Sequence, residues 1–135
     1  MTAGYSGTPL AQKLGLKPGM RAWFLNMPAS VRAEIEREAP PFELLDSPDR
    51  PVDLAHIFVT SCAFLDCELR MLLPLIARDG MIWVSWPKKA AKVPTDITED
   101  VIRAVAFPLH LVDVKVCAVD ETWSGLKLVI RREHR

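Results

Sequence analysis

The sequence predicts a three-layer α/β domain on a mostly parallel sheet, with an antiparallel strand at the C-terminal end. Three observations carry this expectation. Short apolar runs rich in β-branched and aromatic residues alternate with stretches of helical periodicity. Several runs are continuous rather than alternating, as in Ala22-Trp23-Phe24-Leu25 and Ile57-Phe58-Val59, which suits strands buried on both faces. The last two runs are joined only by residues 120–125, too short a link for a parallel crossover.

Residues 1–19 read as an arm with a short helix, capped by Ser6 or Thr8, with Pro9 in its first turn and Gly15 at its end. Lys17-Pro18-Gly19 is a turn, and residues 20–25 form the first strand. Ser30 is placed to cap a helix whose Val31, Ile35 and Ala39 share one side, and Pro40-Pro41 stops it. A short second strand is expected at 42–45, then a proline-rich loop at 46–53. The third strand spans 55–60. A long helix follows, capped by Thr60 or Ser61, with Leu65, Leu69, Leu72, Leu73 and Ile76 on its apolar face. Pro74 should kink it, and Asp79-Gly80 should end it before the fourth strand at 81–86.

Asp96-Ile97-Thr98-Glu99 fits a capping box with Asp96 in the cap. Val101, Ile102, Val105, Ala106 and Leu109 form the buried stripe of that helix. The fifth strand, 112–119, alternates: Val112, Val114, Val116 and Ala118 on one face, Asp113, Lys115 and Cys117 on the other. Residues 126–131 form the last strand.

A chain of 135 residues, half of them apolar, is expected to form one domain with a sizeable core. Seventeen basic and seventeen acidic side chains cancel, which argues against nucleic acid or an anionic membrane as partner. No uncharged apolar run reaches the roughly 18 residues of a membrane span. Residues 1–10 lack the pattern of a secretory signal. With Cys62, Cys67 and Cys117 an odd and sparse set, a cytoplasmic protein with reduced thiols is expected.

The loop after the fourth strand holds the candidate site. Lys88, Lys89 and Lys92 precede a helix N-terminus and could together hold a small anion, with Trp86 beside them. Trp83 and Ser85 must point to one sheet face and Ile82, Val84 and Trp86 to the other, so Trp83 is expected in the core. Cys62 and Cys67 are not spaced for metal or redox pairing, although Cys62 sits where a helix N-terminus could activate a thiol. His56, His110 and His134 are scattered, so no catalytic set and no metal site is assigned.

The element order over residues 52–132 resembles the second half of a class I methyltransferase, a Rossmann-like fold. That resemblance implies a strand order of 2-1-3-4-6-5. The first half departs from the family: the turn Asn26-Met27-Pro28-Ala29-Ser30 has no glycine, and Asp46 is the one counterpart of the family's ribose-holding acid. No cofactor is therefore expected, neither S-adenosylmethionine nor NAD. The blocks Gly4-Tyr5-Ser6-Gly7-Thr8-Pro9, Trp83-Val84-Ser85-Trp86-Pro87-Lys88-Lys89, Pro94-Thr95-Asp96-Ile97-Thr98-Glu99-Asp100, Val114-Lys115-Val116-Cys117-Ala118-Val119-Asp120 and Thr122-Trp123-Ser124-Gly125-Leu126-Lys127 resemble a small bacterial family of unknown function. That second resemblance implies a bacterial cytoplasmic protein and supplies no reaction. The leading expectation is a non-catalytic binding or regulatory module with a protein partner. The alternative is an enzyme or binder of a small anionic metabolite at the Trp86–Lys92 loop. A degenerate S-adenosylmethionine-dependent methyltransferase comes third.

Overall fold

The computed structural model describes residues 7–135. Ser6, one of the two proposed caps, lies outside them. The six strands are β1 (Arg21–Leu25), β2 (Glu43–Leu44), β3 (Val52–Phe58), β4 (Ile76–Pro87), β5 (Leu111–Ala118) and β6 (Trp123–Ile130). They form one sheet in the order β2-β1-β3-β4-β6-β5. Strands β1 to β4 run parallel, and β6 is antiparallel to both β4 and β5. Both the order and the reversed last strand match the sequence expectation.

Among the described residues four α-helices cover the two faces: α1 (Leu10–Leu14), α2 (Ala29–Glu38), α3 (Cys62–Leu72) and α4 (Glu99–Ala106). Leu10 and Leu14 of α1 and Val31 and Ile35 of α2 pack with Leu54, Phe58, Met81 and Trp83 on one face. Leu65, Leu69 and Leu72 of α3 and Ile102 and Ala106 of α4 pack with Ile57, Ile82, Val84 and Trp86 on the other. Successive β3 and β4 residues thus feed opposite cores, which is why these strands read as unbroken apolar runs. Trp83 is fully buried, and its indole N–H donates to the Leu14 carbonyl at 2.8 Å, which ties α1 to the sheet centre.

Several boundaries move for identifiable reasons. Thr8 caps nothing: Pro9 holds the N-cap position of α1, and the Glu38 carboxylate accepts from the Leu10 N–H at 2.9 Å. Gly15 does end that helix, in the left-handed region at φ 79°. Ser30 lies inside α2, because Pro28 holds its N-cap position. Ser61, by contrast, caps α3 as expected and accepts from the Phe64 N–H.

Pro74 lies beyond the end of α3 rather than kinking it, and Ile76 already belongs to β4. Asp79 and Gly80 therefore sit inside a strand. Between the pairs Val52↔Ile76 and Leu54↔Met81, β4 advances further than β3, so its extra residues bulge there. A Cβ on Gly80 would stand 2.9 Å from the Val52 carbonyl oxygen, so glycine is what lets the bulge close onto β3.

The alternation expected of β5 also fails, because a register shift between Asp113 and Lys115 makes Val114 a bulge. Val112 then shares a face with Lys115 and Cys117, while Asp113 shares the opposite face with Val116 and Ala118. The link from β2 to β3 carries no helix. Strand β2 pairs only with Arg21 and Ala22, and the chain turns back at once. Arg21 holds that return through the carbonyls of Asp49 and Pro51.

Candidate functional site

Strand β1 is followed by α2 on one sheet face, and β3 by α3 on the other, so the connections diverge between these adjacent strands. In open α/β sheets ligands bind in the crevice at such a point. A crevice of about 260 Å³ lies there, lined by Asn26 beyond β1, Thr60 and Ser61 beyond β3, Phe64 of α3 and Trp123 of β6. Asn26 takes the left-handed conformation, φ 56°, that a glycine would otherwise supply. The lysine loop expected to hold the site lies one strand further along, after β4. The predicted strand order itself was the signal for this crevice.

A larger cleft of about 550 Å³ lies at the end of β4, between the strand, the following loop and α4. Trp86, Pro87 and Ile97 supply its apolar surface. Lys89 lines it, but Lys88 and Lys92 do not, so the expected convergence of three ammonium groups is corrected. The reason is local. Lys89–Ala91 form a single 3₁₀ turn, and Lys92 follows in the left-handed region. Lys88, before the turn, is extended, so the three lysines stand on three different backbone conformations.

The other charges come from α4. Arg103 bonds Glu99 at 2.9 Å, Asp100 at 3.0 Å and Asp113 of β5 at 2.9 Å. These bonds hold the guanidinium further above its ordinary range, the Asp113 and Glu99 bonds most.

Asp96 is not the cap of α4. That place belongs to Thr98, whose hydroxyl accepts from the Val101 N–H. The Asp96 carboxylate instead accepts from the Cys62 N–H at 2.7 Å and so caps α3. Thr95 reinforces this clip by donating to the Thr60 carbonyl at 2.7 Å. Thr95 lines the large cleft and Thr60 the small crevice, so this bond stands between the two. Asp96 thus occupies the N-terminus of α3 at Cys62. Burial pushes the Cys117 thiol above its usual range.

The histidines are less scattered than the sequence suggested. His56 Nε2 and Ser85 Oγ share a hydrogen bond at 2.7 Å, the spacing of a base and a hydroxyl nucleophile. Both residues are fully buried, so no substrate reaches them and the pair is structural. The His56 ring stacks on Phe58 at 4.6 Å, and its Nδ1 has no partner among the described residues. Burial drives its pKa down to about 3. His110 and His134 also stack, at 3.8 Å.

No family model matches the chain, and no curated protein does. Solved structures do. A SAM dependent methyltransferase from Aquifex aeolicus has a TM-score of 0.63 and 14% identity over 90% of this chain and 88% of that one. The fold is methyltransferase-like. Magnesium protoporphyrin IX methyltransferase from Synechocystis, with bound SAH, gives a TM-score of 0.56 and 12% identity, covering 90% of this chain and 80% of that chain. Fibrillarin from Aeropyrum pernix, with natively bound S-adenosyl-L-methionine, gives 0.53 and 12%, covering 93% and 70%. Identities this low establish the shared architecture and nothing about chemistry. Among the described residues, no helix is long and apolar enough to cross a membrane.

Proposed function

We propose that this chain is a degenerate methyltransferase-fold protein that binds a small molecule without transferring a methyl group. The turn after β1 carries the reading. A nucleotide cofactor at the switch point needs close backbone approach after β1 and an acid beyond β2. Here Pro28 takes the N-cap position of α2, and the turn contains no glycine. Asp46 is exposed and does not line the crevice. The crevice, at about 260 Å³, falls below the roughly 300–1,000 Å³ typical of small-molecule sites. These residues do not fit S-adenosylmethionine, and no transfer step runs through them. The Trp86 cleft, at about 550 Å³, lies within that range and supports binding there instead.

A protein partner is a second reading, favoured by Val114 and Val116, 53% and 48% exposed on the edge strand β5. The sequence blocks favour a bacterial cytoplasm as the setting, and three free cysteines accord with a reducing compartment.

A thermal-shift screen with nucleotides, sugar phosphates and amino acids tests the binding reading, because a ligand of the native state raises Tm by mass action. A ligand of the Trp86 cleft should lose its effect in Lys89→Met and keep it in Asn26→Gly, a change the left-handed backbone tolerates. The opposite pattern would place the ligand in the switch-point crevice and overturn the assignment.

A further inference from the structure

We propose that the Trp86 cleft takes a dipolar ligand: a free α-amino acid whose side chain lies against the apolar floor of the cleft and whose carboxylate and ammonium meet charges of opposite sign. This rests on the reading of the cleft as the binding site and replaces the small anion that the lysine cluster suggested.

One of the two threonine hydroxyls of the cleft has its proton committed. Thr98 Oγ1 accepts from Val101, while Thr95 Oγ1 donates to the Thr60 carbonyl and accepts from the Ile97 N–H. Recognition is left to the Thr98 O–H, the charges and the apolar floor. Lys89 is exposed and its side chain makes no hydrogen bond or ion pair among the described residues, so its ammonium is available to a carboxylate. The α4 wall has the opposite character. One guanidinium there is shared by Glu99, Asp100 and, behind them, Asp113, which leaves negative charge in excess. Asp100 is the outermost, with its side chain 94% exposed, and has lone pairs left for an ammonium.

A simple anion would meet one positive charge and a net negative wall, and a simple cation would meet the reverse mismatch at Lys89. A ligand bearing both charges satisfies both sides. Between them the floor is apolar: Trp86 and Ile97, only 8% and 3% exposed, and the buried Pro87 present edges rather than open faces, against which an apolar side chain can rest.

Three probes of one shape separate the charges: L-phenylalanine, 3-phenylpropionate (no ammonium) and phenethylamine (no carboxylate). Each is titrated into ¹⁵N-labelled protein up to tens of millimolar, following the Trp86 indole and the amides of residues 95–103. L-Phenylalanine should shift these signals, with the other two binding about tenfold more weakly or worse, as expected for the loss of one charge-assisted contact. Lys89→Met should reduce L-phenylalanine to the affinity of phenethylamine. Asp100→Asn should reduce it to that of 3-phenylpropionate. Equal or tighter binding of either single-charge probe overturns the dipolar assignment and leaves the cleft as the site. No shift with any probe, or shifts confined to Asn26, Ser61 and Phe64, overturns the cleft itself.

Discussion

His56 gives the sharpest link between a buried residue and a bulk measurement. Its pKa in the folded chain is about 3, against an ordinary value of 6.5, and burial is the cause. The folded state therefore binds fewer protons than the unfolded state between those values. Stability is fully present above pH 6.5 and falls as the pH drops toward 3. Between pH 7 and pH 5 the separation of the two pKa values amounts to about 2 kcal/mol lost from this group alone, at about 1.4 kcal/mol per unit. Urea unfolding of the wild type and of His56→Gln across this range isolates the contribution. Gln keeps a polar group beside Ser85 and does not titrate. The variant should be less stable at pH 7 but lose about 2 kcal/mol less on going to pH 5. Parallel curves would show that His56 does not sit as the neutral, buried partner of Ser85.

Two further outcomes follow from packing and capping. Trp83→Ala removes the largest fully buried side chain and its bond to Leu14, so denaturation should show a loss of about 3–5 kcal/mol, with or without ligand. Asp96→Ala removes the cap of α3 supplied from the loop before α4, and should cost about 0.5–2 kcal/mol with faster amide exchange at Cys62. An unchanged Cys62 exchange rate would show that the clip does not persist in solution.

The strand order was legible because it depends on local quantities. The βα alternation of the first strands, together with the short link before β6, leaves few topologies. The core position of Trp83 followed from side-chain alternation along β4. What stayed hidden depends on register or on distant partners. Gly80 reads as a helix stop until its approach to the Val52 carbonyl is seen. Val114 reads as one step in a regular alternation until the pairing with β6 slips. Asp96 matches a local capping box, yet it caps a helix 34 residues earlier in the chain. His56 and Ser85 are 29 residues apart and meet only because β3 and β4 run in parallel register. Of the candidate site, Trp86 and Lys89 line one cleft, while Lys88 and Lys92, on either side of the 3₁₀ turn, do not.

Calorimetric titration with S-adenosylmethionine tests most directly the proposal that the switch-point crevice does not hold this molecule. The turn from Asn26 to Ser30 and the narrow crevice beyond β1 and β3 predict no binding heat at sub-millimolar concentrations. A micromolar dissociation constant, with Asn26 and Ser61 amides perturbed in the same titration, would contradict the account.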